Sequence, residues 1–75
     1  MKAKHSNKEL EYDLFEELSG RLVISVLCGT IALYEAQVPL NDQETQRYQE
    51  EGENFLDDLA TRIRNEEGNF RSRMI

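Results

Sequence analysis

One thiol, Cys28, and one histidine, His5, are all the chain offers of the side chains that most often serve as nucleophile or general base near neutral pH. Cys28 lies inside the uncharged run Leu22–Leu33, so it reads as a small buried hydrophobe whose thiol is inert. His5 sits in the N-terminal tail with only scattered hydroxyls for company, a poor general base. A carboxylate metal centre of the ferritin type needs Glu-x-x-His motifs, and the sequence has none. Glu35, the one acid attached to the apolar run, reads better as a solvent-facing or arginine-paired residue at an element's end. Asp57-Asp58 and Glu50-Glu51 with Glu53 lack the spacing and turn glycine of a calcium loop, and no glycine-rich phosphate loop occurs. We therefore expect no enzyme, no catalytic residues, no metal and no cofactor.

The formal charge of −6, from 15 acidic and 9 basic residues, argues against direct nucleic-acid binding, which needs a basic footprint. Lys2, Lys4 and Lys8 make the N-terminus basic, Arg71 and Arg73 do so more weakly at the other end, and the acid lies between. Glu50, Glu51, Glu53, Asp57 and Asp58 form an acidic face. It could imitate a row of phosphates and occupy a nucleic-acid site on a basic host protein, as an inhibitor or regulator. The competing expectation is an ordinary solvated helix face with Arg47, Arg62 and Arg64 as internal partners.

Several elements would have to position these groups. Ser6 and Glu9 have the spacing of a capping box, and a helix begun there places Leu10, Leu14, Phe15 and Leu18 on one face until Ser19-Gly20. The central run has two readings. Val23, Ile24, Val26, Thr30 and Ile31 are β-branched, and Cys28-Gly29 could turn a hairpin between strands 21–27 and 30–37. Neither half alternates cleanly, however, and Ser25, Gly29, Ala32 and Ala36 would form a stripe of small residues down a helix. The helix is the reading we adopt. Pro39 ends it, and Asn41 with Glu44 makes a second capping box. Tyr48, Phe55, Leu56, Leu59 and Ile63 then mark an amphipathic helix to about residue 66, with Gly52 in its apolar face and Gly68 as its stop.

The expected fold is all-α: an antiparallel helical hairpin of 21–37 and 42–66, preceded by a short amphipathic helix. It would be one small domain over 1–75, with 1–5 and 71–75 as flexible tails. A central helix apolar nearly all round exceeds what one chain of 75 residues can cover. With no disulfide possible inside one chain, a dimeric helical bundle, homodimer or heterodimer, is the expected remedy. The association residues would be Leu22, Val26, Gly29, Leu33 and Tyr34, and the function that of a non-enzymatic protein–protein interaction module.

Arg47-Tyr48-Gln49, opening the long helix, loosely resembles the small acidic two-helix co-chaperones of type III secretion needles, a likeness of architecture that implies half of a heterodimer. The helical-hairpin outline also resembles the plasmid copy-number regulators, but RNA binding of that kind needs a basic face, and Arg47, Arg62 and Arg64 are too few. Leu22–Leu33 would make only about 18 Å of helix, against a hydrocarbon core of about 30 Å, and no secretory leader pattern precedes it. A cytoplasmic protein with no membrane contact is the expectation.

Overall fold

Leu22–Cys28, most of the apolar run, is a strand and not a helix. A computed structural model describes residues 2–29 and 32–75. Over these the chain forms β1 (Lys2–Asn7), β2 (Tyr12–Glu16), β3 (Leu22–Cys28), β4 (Tyr34–Pro39), α1 (Asp42–Glu51), α2 (Glu53–Asn65) and α3 (Glu67–Phe70), and ends in a 3₁₀ turn at Arg71–Arg73. The strands pair antiparallel in the order β1-β2-β3-β4, and α2 lies against β3 on one side of the sheet. The fold is α+β. The all-α expectation, the helical hairpin 21–37 with 42–66, and the helical bundle built from it are corrected accordingly.

The physical reason lies in β3. Leu22, Ile24, Val26 and Cys28 point into the core beneath the helices, while Val23 and Ser25, on the opposite face, are also almost inaccessible, at 0% and 2%. A strand buried on both faces loses the alternation that would distinguish it from a helix. The small-residue stripe does not exist as a surface, because Ser25 belongs to β3 and Ala36 to β4. The hairpin alternative comes nearer, although β4 begins only at Tyr34 and Thr30 and Ile31 lie outside the described residues. Glycine is needed at Gly29 for two reasons: its φ is +99°, and a Cβ there would collide with the Ala32 carbonyl oxygen.

The N-terminal helix is likewise replaced by strands. Ser6 caps nothing; its hydroxyl donates to Asp13 Oδ1 across the β1–β2 ladder at 2.5 Å. The β1–β2 turn is held by the Leu10 N–H donating to Asn7 Oδ1 at 3.0 Å. Leu14 faces the core and Phe15 the other way, so the apolar pair belongs to a strand's two sides. Leu18 is fully exposed in the β2–β3 turn. Residues 2–5 and 71–73, expected to fall in flexible tails, belong to β1 and to the 3₁₀ turn.

The second half follows the sequence more closely. Asn41 caps α1 with both halves of the box in place: the Glu44 N–H donates to Asn41 Oδ1 at 2.8 Å, and the Asn41 N–H to Glu44 Oε1 at 3.0 Å. Phe55, Leu56, Leu59, Ala60 and Ile63 are the buried face of α2. The helix is not continuous over 42–66, however. Gly52, with φ of +68° and ψ of −143°, separates α1 from α2 and so does not lie within the apolar face of one helix. Gly68 lies inside α3 rather than stopping α2, and Phe70 joins the core that holds Ile63. No helix among the described residues is long and apolar enough to cross a membrane.

Candidate functional site

Two groups of polar side chains could carry chemistry, and both are bound up in structure. Between the β1–β2 ladder and α2, the Tyr12 hydroxyl donates to Asp57 Oδ1 at 2.6 Å and Asn7 Nδ2 donates to the same oxygen at 3.2 Å. His5 stacks near Tyr12, with ring centroids 5.9 Å apart, and its Nε2 lies 3.3 Å from Glu53 Oε2. Burial, the hydrogen bond to Asp57 and that residue's charge together hold the Tyr12 hydroxyl well above the usual tyrosine range, while Asn7 opposes them. Tyr12 is therefore a fixed donor that ties the sheet to α2. Cys28 is buried, and burial first, then Glu67, push its thiol up. A thiol kept protonated is a poor nucleophile.

Two arginines fasten the helices to the sheet through backbone carbonyls. Arg64 Nη2 donates to Leu10 O at 2.6 Å and to Leu27 O at 3.0 Å, joining the end of α2 to the β1–β2 turn and to β3. Arg73 donates to the Pro39 carbonyl at 2.9 Å and to Glu44 at 3.2 Å. Burial pushes the Glu44 carboxyl up, but the Arg73 hydrogen bond, the Asn41 N–H and the Arg73 charge outweigh it and hold it below its ordinary value.

The other face of the sheet is different. Opposite the helices, the ladders place Ala3 beside Phe15, Phe15 beside Val23, and Val23 beside Pro39, one apolar row across all four strands. Next to it runs a polar row of Ser6, Asp13, Ser25 and Gln37. Beyond the apolar row, Glu17 and Arg21 extend the β2–β3 ladder, with the Glu17 N–H donating to the Arg21 carbonyl at 2.9 Å. Their side chains are joined as well, Arg21 Nη2 donating to Glu17 Oε2 at 3.0 Å. The Ser25 hydroxyl is buried and has no hydrogen-bond partner among the described residues. The helices pack on the Leu22, Ile24, Val26 and Cys28 side and not on this face, although Val23 and Ser25 are closed to solvent here as well.

The sheet's edges are less available. Beside β4, the Ile75 N–H donates to the Gln37 carbonyl at 2.9 Å, and Arg73 takes the Pro39 carbonyl. The β1 edge carries Lys2 and Lys4 and a register shift between Ala3 and His5, two devices that discourage strand addition.

The residues expected to form the association interface are not brought together. Leu22 and Val26 are core residues under the helices, Gly29 is in the β3–β4 turn, and Leu33 and Tyr34 are 65% and 43% exposed beyond it. The acidic face is also divided. Glu50 and Glu51 lie on α1, Glu53, Asp57 and Asp58 on α2. Asp57 is occupied by Tyr12 and Asn7, and Glu51 Oε2 accepts from Arg47 at 2.9 Å. Phe15 was visible in sequence, but as part of a helical stripe with Leu14. The signal that separates them is the period of two in Tyr12-Asp13-Leu14, where alternate residues are apolar. Ala3 and Pro39 give no local signal, since only strand register aligns them with Phe15 and Val23. No protein family, curated protein or solved structure matches the chain.

Proposed function

We propose that this chain is a non-enzymatic interaction module that holds a protein partner on the open face of its sheet. The observation that carries this is the row Ala3, Phe15, Val23 and Pro39, apolar across four strands on the side the helices leave bare. An antiparallel sheet with one solvated face ordinarily presents polar residues there. Ala3, Phe15 and Pro39 keep accessible surface in this row, whereas Val23 between them does not, and apolar surface flanked by polar residues is a usual mark of a protein contact. The association residues thus move from Leu22 and Val26 to the opposite side of the same strands. The non-enzymatic part is supported by Cys28, whose thiol is buried and pushed up, and by Tyr12, whose hydroxyl is engaged by Asp57. The lone cysteine suits a reducing compartment, and we place the module in the cytoplasm.

Site-specific photocrosslinking tests the proposal. A benzophenone amino acid at Phe15 should give protein adducts in cells, while the same group at exposed Gln46 on α1 should not. Equal yields at the two positions, or none at either, would overturn it.

A further inference from the structure

We infer that the cleft between α1, α2 and the terminal 3₁₀ turn binds a phosphate monoester. The cleft, of about 390 Å³, is lined by Arg47 of α1, Arg62 of α2 and Arg73 of the 3₁₀ turn. Three of the six arginines thus converge on one hollow of a chain whose formal charge is −6. None of them belongs to the sheet, so the site does not rest on the role proposed for its open face.

Two core rings hold the guanidiniums in place. Arg47 Cζ lies 4.8 Å from the centroid of the Phe55 ring, and Arg62 and Arg73 lie 5.9 and 5.5 Å from that of Phe70. Phe55 and Phe70 are both buried, so these platforms are fixed by the core. A guanidinium attracted through its face to a ring keeps its N–H rim for hydrogen bonds in its own plane.

The three arginines differ in what they have left to give. Arg73 is committed to structure, donating to the Pro39 carbonyl at 2.9 Å and to Glu44 at 3.2 Å. Glu44, the acid lining the cleft, is paired by the same bond. Arg47 donates to Glu51 Oε2 at 2.9 Å, and both side chains of that pair are exposed. An ion pair so screened by water is weak and readily exchanged. Arg62 makes no ion pair and no side-chain hydrogen bond among the described residues; it meets only the Phe70 ring and the field of Glu44. Against Glu44 and Glu51, three arginines leave one positive charge without a paired carboxylate, that of Arg62.

The other polar groups of the cleft decide the shape of the ligand. Asn41 and Gln43 also line it, and Asn41 Oδ1 is taken by the Glu44 N–H, which leaves its amide nitrogen, a donor. Donors therefore stand on several walls. A planar carboxylate would satisfy Arg62 in a single fork and leave the others unused. A phosphate monoester carries about −1.5 to −2 charge at pH 7 and three acceptor oxygens in different directions. It can take the Arg62 fork with two of them while the third draws Arg47 away from Glu51.

NMR of the chain labelled with ¹⁵N tests this. Methyl phosphate at constant ionic strength should move the Arg62 Nε–H resonance saturably, and acetate should bind more weakly. Arg62→Gln should weaken methyl phosphate binding at least about tenfold, the loss expected when a charged hydrogen-bond donor is removed. Glu51→Gln should strengthen it about threefold by freeing Arg47, a gain that damage to the fold would not produce. Arg71→Gln removes an equal charge outside the cleft, where Arg71 faces Glu67, and should leave binding unchanged. Circular dichroism of each variant establishes that it is folded. A peptide with one phosphoserine between glycines separates the two sources of such a group. Binding as tight as that of methyl phosphate assigns the cleft to a phosphorylated protein side chain, and exclusion of the peptide assigns it to a free small molecule. No saturable shift at Arg62, acetate binding as tight as methyl phosphate, or equal losses in Arg71→Gln and Arg62→Gln would overturn the inference. The Phe15 photocrosslinker reports on the open face whichever result is obtained here.

Discussion

The two faces of one sheet divide the same apolar stretch between different tasks. On the covered face, Leu22, Ile24, Val26 and Cys28 of β3 meet Tyr12 and Leu14 of β2, Ala36 and Val38 of β4, and the Phe55, Leu56, Leu59 and Ile63 side of α2. On the face turned away from the helices Val23 and Ser25 are inaccessible too, and Phe15 remains half-buried. Residues adjacent in sequence thus belong either to the stability of one chain or to its proposed contact with another. Hydrophobicity alone does not distinguish them; the side of the pleat does.

Substitutions on the two faces should separate these tasks. Ile24→Ala, on the covered face, should cost about 2–5 kcal/mol, a large share of the stability of so small a domain, and should lower the urea midpoint sharply or abolish folding. Phe15→Ala, on the open face, should cost about 1 kcal/mol or less in the monomer while weakening association. Equal losses in urea unfolding would erase the distinction between the faces.

Tyr12→Phe should cost about 1.5 kcal/mol, because it removes a hydrogen bond to a charged group, and it should leave association unchanged. The Tyr12 hydroxyl is held above its ordinary value in the folded chain. Its contribution is therefore complete below the unfolded tyrosine value, near pH 10, and is lost as the pH rises beyond it. Urea titrations of wild type and Tyr12→Phe should converge at strongly alkaline pH; a constant gap would show that Asp57 does not depend on Tyr12.

Asn41→Ala should cost about 1 kcal/mol by removing the N-cap of α1, measurable as a small shift in the unfolding midpoint. At the acid end, Glu44 is held below its ordinary value. Its stabilising effect is present above the unfolded carboxylate value, near pH 4.3, and is lost as the pH falls through the lower folded value. The gap between wild type and Glu44→Gln should close over that acidic interval. This is the smallest effect expected, since Glu44 lies at the margin of the covered face with Arg73.

The legible parts of the chain were those whose signals are local and singly periodic. The Asn41–Glu44 box needs only four consecutive residues, and the α2 stripe from Phe55 to Ile63 repeats at helical spacing against a polar background. Ser6 and Glu9 offered the same capping signal, but strand pairing with Asp13 claimed Ser6 instead. The candidate site was less legible. Phe15 and Val23 stand eight positions apart in sequence, and Ala3 and Pro39 farther still, so only the ladders make a row of them.

By itself the sequence determined the start of α1 and the buried side of α2, and it marked Leu22–Cys28 as a segment to be buried. Tertiary structure decided that Leu22–Cys28 is a strand and that β4 begins only at Tyr34. It also decided which side the helices take. The reason is that a strand apolar on both faces carries no period of its own, and its hydrogen bonds go to residues distant in the chain. Which half of its surface is left over is then a property of where α2 comes to rest.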